Sequence, residues 1–189
     1  MTDKPLDALV ICGSLRKGSY NAALARTLPA LAPPGLALRA APTFAGLPVY
    51  NYDEHQASGI PAIAQDWAQA IRSADAVIIV SPEYNWSIPG GLKNAIDWAS
   101  RLKDQPFSGK PVALQSAATG LLGGARMQYH LRQVLVFVDA LVFGRPEIMI
   151  GMAATKFDED GTLTDAPTRD LVRAQLTAFA AFLKAHPKL

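Results

Sequence analysis

The run Ala76-Val77-Ile78-Ile79-Val80, followed by Ser81-Pro82-Glu83-Tyr84-Asn85-Trp86-Ser87-Ile88-Pro89-Gly90-Gly91, decides the fold. Five consecutive apolar residues, four of them β-branched, leave no polar face, so the segment reads as a strand covered on both sides. Two prolines and a glycine pair then interrupt the chain, and Leu92, Ile96 and Ala99 resume at helical spacing. A buried strand, a polar loop and an amphipathic helix make one βα unit.

The same unit recurs on either side. Ala8-Leu9-Val10-Ile11 predicts the first strand, and Tyr20, Leu24, Leu28 and Leu31 mark a helix from about Ser19, with Pro29 disturbing its last turn and Pro33-Pro34-Gly35 ending it. Residues 37–40 predict strand two, and residues 41–59 read as a long irregular connection. Ile63, Trp67, Ile71 and Ala74 mark the helix before the central strand. Pro111-Val112-Ala113-Leu114 predicts strand four, and the inner face of the helix after it carries Met127, Leu131, Val134, Leu135 and Val138. Strand five falls on residues 140–142 or 147–150, before a Pro167-led helix with Leu171, Val172, Leu176, Phe179 and Leu183 facing inward. Alternation of this kind predicts one domain over residues 1–189. It is a flavodoxin-like three-layer α/β/α sandwich on a five-stranded parallel sheet in the order 2-1-3-4-5. In that order, ligands bind at the carboxyl ends of strands one and three, in the loops after Ile11 and Val80.

Composition excludes several classes. Of 189 residues, 50% are hydrophobic and 18% charged, against about a quarter charged in an average soluble domain. A chain of this size buries about 70% of its unfolded surface and needs no metal or disulfide staple. Cys12 is the one cysteine, and His55, His130 and His186 are too scattered to complete a four-ligand zinc site. With 18 basic and 16 acidic residues the formal charge is +2. Basic residues form no run beyond the pair Arg16-Lys17, so no nucleic-acid partner is implied. Residues 134–138 are among the longest apolar stretches, well short of the roughly 18 residues of a membrane span. Residues 1–7, Met-Thr-Asp-Lys-Pro-Leu-Asp, have neither the basic nor the apolar region of a secretory leader, so a cytoplasmic protein without membrane contact is expected.

After strand one comes Cys12-Gly13-Ser14-Leu15-Arg16-Lys17-Gly18-Ser19-Tyr20-Asn21, which is rich in glycine, hydroxyls and cations and leads into a helix. Backbone N–H groups at such a turn bind anions, although the same residues also suit a plain polar turn with Ser19 as N-cap. Gly13 and Gly18 have the glycine spacing of a P-loop, but Ser19 stands where that motif needs lysine. Leu15 stands where a dinucleotide fingerprint needs glycine. A Cys-x5-Arg phosphatase loop from Cys12 would need arginine at Gly18, and a response regulator would need acids in place of Cys12 and Ser81. The loop is therefore read as one that holds a phosphate without cleaving it.

The second loop offers the flat faces of Tyr84 and Trp86 and the amide of Asn85, as ring contacts or as core. The third, Ser116-Ala117-Ala118-Thr119-Gly120-Leu121-Leu122-Gly123-Gly124-Ala125-Arg126, again has hydroxyls and small residues at a strand end. A phosphate cradle beside an aromatic-lined slot describes a mononucleotide with a large ring.

The motifs Gly13-Ser14-Leu15-Arg16 and Pro82-Glu83-Tyr84-Asn85, with Pro89-Gly90-Gly91-Leu92-Lys93-Asn94-Ala95-Ile96-Asp97-Trp98, resemble the NADPH-dependent FMN reductases. Gly123-Gly124-Ala125-Arg126-Met127-Gln128-Tyr129-His130-Leu131-Arg132-Gln133 is similar to the branch holding bacterial chromate and quinone reductases. The resemblance implies that Ser14, Arg16, Ser19 and Asn21 hold the FMN phosphate, Pro82 to Asn85 line the ring, and Ser116 approaches it. Gly13, Leu15, Tyr20 and Thr119 complete the implied cofactor set. Trp86 stands where relatives often have a smaller aromatic, and Thr119 lies in a stretch usually richer in glycine.

By the same resemblance, hydride passes from NADPH or NADH to FMN, and electrons then pass to quinones, flavins, ferric chelates or chromate in ping-pong fashion. No side chain acts as a general base, and Glu83, Tyr84 and Asn85 form the ring environment. A homodimer or homotetramer is implied, and Trp86, Arg126, Tyr129 and Glu147 are the residues that could reach another subunit. Two rivals remain at this point, an electron carrier without nicotinamide chemistry and a phosphate-ester hydrolase using Cys12. The sequence pI near 8.7 weighs against the carrier, since flavodoxins are acidic.

Overall fold

The computed structural model describes residues 4–186. Residues 1–3, where the leader reading starts, and 187–189 lie outside them. Strands β1 (Leu6–Cys12), β2 (Leu36–Ala40), β3 (Ala76–Val80) and β4 (Pro111–Ala117) run parallel, β2 beside β1, β1 beside β3 and β3 beside β4. The fifth position is divided. Strand β5 (Leu141–Val142) pairs with Pro111 and Val112, while β6 (Ile148–Ile150) pairs with Gln115 to Ala117. Both alternatives for strand five therefore form. Between them, residues 143–147 include Gly144 and Pro146, and proline has no N–H to continue a ladder.

Alternation of side chains along β1 explains the three layers. Ala8 and Val10 enter one core with Leu24 and Leu28 of α1 (Tyr20–Leu31) and Val172, Leu176 and Phe179 of α6 (Ala166–Ala185). Leu9 and Ile11 enter the other core with Trp67 of α3 (Ala62–Ser73), Leu92 and Ile96 of α4 (Gly90–Ala99) and Leu131 and Leu135 of α5 (Ala125–Phe137). All five residues of β3 are buried, with Ile78 and Ile79 in opposite cores. Truncating either isoleucine to alanine is expected to cost about 2–5 kcal/mol.

Four local expectations are corrected. The connection after β2 contains α2 (Tyr52–Ser58), a helix with no buried residue that is capped by Asn51, so it has no hydrophobic period to read. Leu171 points to solvent, and Gln175 joins the inner face of α6 instead. Val134 is only half-buried, and Val138 lies just past the end of α5. Strand β4 runs on to Ala117, so Ser116 is a strand residue. Pro29 stays inside α1, close enough to its end that little of the helix depends on the missing N–H. Among the described residues, no helix is long and apolar enough to cross a membrane.

Candidate active site

Cys12, Val80 and Gln115 stand side by side in β1, β3 and β4. The first two loops therefore leave the sheet at one level, tied at their roots by Gly13 N–H to the Val80 carbonyl (2.8 Å) and Ser81 N–H to the Gln115 carbonyl (3.0 Å). A Cβ on Gly13 would run into Ser81 and reach 3.0 Å from Leu92, so this close approach requires glycine.

In the first loop, Ser14 is buried and its Oγ accepts from Arg16 N–H at 3.3 Å. Ser19 caps α1, accepting from the N–H groups of Asn21 and Ala22. Among the described residues, the backbone N–H groups of Leu15, Lys17, Gly18 and Tyr20 donate to nothing, and the exposed side chains of Arg16 and Lys17 form no ion pair. The first turn of α1 carries no acid. Unspent donors, two cations and a helix N-terminus together fit a phosphate. They border a cleft of about 350 Å³ whose other side carries Asp158, Glu159 and Asp160.

Two residues of this loop are turned elsewhere. Tyr20 packs on Phe157, with ring centroids 5.5 Å apart. Asn21 is buried, donating from Nδ2 to the Ala117 carbonyl (2.8 Å) and accepting Ala117 N–H at Oδ1 (2.9 Å). It ties the first loop to the end of β4, and one remaining amide hydrogen is all it offers an anion.

The second loop contains a tight turn. Tyr84 N–H donates to the Ser87 carbonyl (3.0 Å) and Ser87 N–H returns to Tyr84 (2.9 Å), while Asn85 and Trp86 between them have φ of 50° and 67°. Two successive positive φ values define a type I′ turn. Asparagine tolerates that conformation, but tryptophan there costs about 1–2 kcal/mol. The guanidinium of Arg126 lies 4.2 Å from the Trp86 ring centroid, and Ser87 Oγ bonds His130 Nδ1 at 2.8 Å, so α5 holds the turn in place. Tyr84 and Trp86 remain exposed at the surface, and Pro82 is half-buried at the root of the loop.

Glu83 is not free to face a ring. Its carboxylate accepts Met127 N–H at 3.1 Å and Arg126 Nη1 at 3.4 Å, filling the place of an N-cap side chain that Gly124 lacks. Ser116 is equally committed. Its hydroxyl donates to the Gly123 carbonyl and accepts from Gln128 Nε2 at 2.8 Å, and Gln128 Nε2 also reaches the Ile148 carbonyl at 2.7 Å. Ser116 therefore shapes the third loop from behind, whereas Thr119 is exposed on it. Gln128 was missed by sequence reasoning, although its i+3 and i+7 neighbours Leu131 and Leu135 are core positions.

Cys12 Sγ donates to the Ser14 carbonyl at 3.5 Å. Burial pushes its thiol up, with Ser14 and the charge of Arg26 pulling less strongly the other way. A thiol kept protonated is a poor nucleophile, which weakens the hydrolase alternative. Within one chain, Arg126 is engaged with Glu83 and Trp86, and Tyr129 Oη donates to Glu147 at 3.2 Å, with Arg132 at 3.3 Å from the same carboxylate.

A profile of the NADPH-dependent FMN reductase family matches residues 6–155. The chain is 51% identical over 185 residues to a quinone reductase of Escherichia coli strain K12, covering 97% of this chain and 98% of that protein. It is 46% identical over 179 residues to an NAD(P)H-dependent FMN reductase of Pseudomonas aeruginosa, covering 95% and 96%. Among solved structures, the flavoenzyme NAD(P)H:(acceptor) oxidoreductase FerB of Paracoccus denitrificans superposes with a TM-score of 0.85 at 34% identity, covering 96% and 98%. A first loop with free donors for an anion, on a sheet of order 2-1-3-4-5, thus sits in a chain matched along most of its length, and the protein is an oxidoreductase belonging to the NADPH-dependent FMN reductase family.

Proposed function

We propose that the protein takes hydride from NADPH or NADH through bound FMN and delivers the electrons in ping-pong turnover to quinones, with flavins, ferric chelates and chromate as further acceptors. The observation that carries this reading is the set of unspent N–H donors and unpaired cations at the start of α1, on the same sheet edge as the exposed Tyr84. When bound, the flavin supplies the hydride-accepting ring nitrogen and the electron transfer to the acceptor.

The chain's residues divide the remaining work. Ser14, Arg16, Ser19 and the N–H groups of Leu15, Lys17, Gly18 and Tyr20 hold the phosphate, with Gly13 and Leu15 shaping the loop and Tyr20 and Asn21 bracing it. Pro82, Tyr84 and Asn85 line the ring, and Ser116 and Thr119 support its third side. Tyr84 N–H is spent on Ser87, which leaves the N–H groups of Asn85 and Trp86 to stabilise negative charge on the ring. Glu83 contributes by directing its own charge to α5. We further propose that the protein works in the cytoplasm as a homodimer or homotetramer, with Trp86, Arg126, Tyr129 and Glu147 near the contact between copies.

An absorption spectrum of the purified protein, followed by anaerobic NADPH and then a quinone, tests the reading. Flavin bands that NADPH bleaches and the quinone restores are expected. A colourless protein that takes up no FMN overturns it, and a flavin that NADPH and NADH leave oxidised would make the protein an electron carrier.

A further inference from the structure

We propose that a cavity between α1 and the carboxyl ends of β1 and β2, which reaches the back of the first loop at Ser14 and Leu15, is a second small-molecule site beside the flavin phosphate loop, built for a flat aromatic monoanion. The cavity holds about 330 Å³, near the lower end of the range for ligand sites. It exists because small residues meet there. Ala22 and Ala25 of α1 and Ala40 and Ala41 at the end of β2 all line it, and none has a side chain long enough to fill the gap. Phe44 also lines it, with its ring buried edge-on to Trp67.

Charge selects the occupant. No acidic residue lines the cavity, and its two charged side chains differ. Arg39 is already satisfied by Asp7 at 2.9 Å, the Ala70 carbonyl at 3.0 Å and Ser73 Oγ at 2.9 Å. Arg26 has no ion pair or hydrogen bond among the described residues. Arg26 also borders the cleft with Asp158, Glu159 and Asp160, but it is the one cation on the lining without a direct partner among the described residues, and a single positive charge beside apolar walls favours one negative charge on an apolar body. A polyanion would leave charge against those walls. Cys12 lines the same cavity and is the only cysteine, which makes it a built-in reporter.

The test uses 2-naphthoate on the FMN-loaded protein. Calorimetry is expected to give one saturable site, and the probe is expected to slow modification of Cys12 by N-ethylmaleimide severalfold. Arg26→Gln should weaken binding about tenfold, through loss of a charge-assisted contact. Ala25→Leu, which fills the cavity, should abolish binding, and neutral methyl 2-naphthoate should bind the wild type no better than 2-naphthoate binds Arg26→Gln. A thermal unfolding midpoint within a few degrees of wild type establishes that both variants fold. Absence of binding up to millimolar probe overturns the proposal, as does binding that neither substitution changes. Binding seen only when FMN is withheld also overturns it, because the probe would then occupy the flavin site. The proposal does not depend on the electron acceptor.

Discussion

The carboxylate of Glu83 accepts the backbone N–H of Met127 at 3.1 Å, so the loop after β3 caps the helix that follows β4. Forty-four residues of sequence separate the two groups. Glu83→Ala removes a charge-assisted bond at a helix N-terminus and is expected to cost about 2 kcal/mol in urea unfolding. Glu83→Gln keeps an acceptor and should cost less than half as much. Equal losses for the two variants would show that the carboxylate has another role.

Gly123 and Gly124 have φ of 59° and 89°, and a Cβ on Gly123 would lie 2.5 Å from the Met149 carbonyl carbon. Gly123→Ala should therefore lose more than about 3 kcal/mol. On Gly124 the nearest atoms belong to the Ser116 side chain, at 2.8 Å. Gly124→Ala should disturb the Ser116 hydroxyl and weaken FMN binding, measured by recovery of flavin fluorescence on release. A Gly124→Ala protein with unchanged FMN affinity would separate the third loop from the cofactor.

Asn21 and Arg16 make a contrasting pair. Asn21→Ala leaves the N–H and carbonyl of Ala117 without their partner, a loss of about 2–3 kcal/mol expected in the unfolding curve. Arg16→Ala touches no internal contact of its side chain and should leave the melting temperature of the FMN-free protein unchanged while lowering FMN affinity about tenfold. A destabilised FMN-free Arg16→Ala protein would contradict the free placement of this side chain.

Asp165 caps α6, and the Thr168 hydroxyl and then the Thr168 N–H hold its carboxyl below the usual carboxylate range. Its folded-state pKa lies below the unfolded value of about 3.9. The stabilisation it gives is therefore complete above that value and is lost as pH falls through the folded-state value. Melting temperature should drop on acidification below about pH 4 in the wild type. Asp165→Asn should start lower and show a shallower drop over that interval. Parallel curves for the two proteins would remove Asp165 from the acid transition.

Much of this architecture was legible in one dimension. β3 and residues 8–11 of β1 are unbroken apolar runs because helices cover both faces, and Gly13 marks the point where two strand ends nearly touch. Features without a local pattern were not legible. The α2 helix buries nothing, so no period betrays it. Asn21 and Ser116 look like loop ligands by type, but their partners Ala117 and Gln128 are set by tertiary packing. The capping of α5 by Glu83 crosses two elements, and neither sequence neighbourhood alone contains it.

The divided fifth position bears on how copies of the protein behave at high concentration. A sheet that ends in one long straight strand presents a row of open backbone groups to any other chain. Here that border consists of β5, two residues long, and β6, three residues long, separated by a stretch containing Gly144 and Pro146. A foreign strand laid along it could match only a few consecutive groups before losing register, so this border resists edge-to-edge aggregation without any charged gatekeeper within either strand.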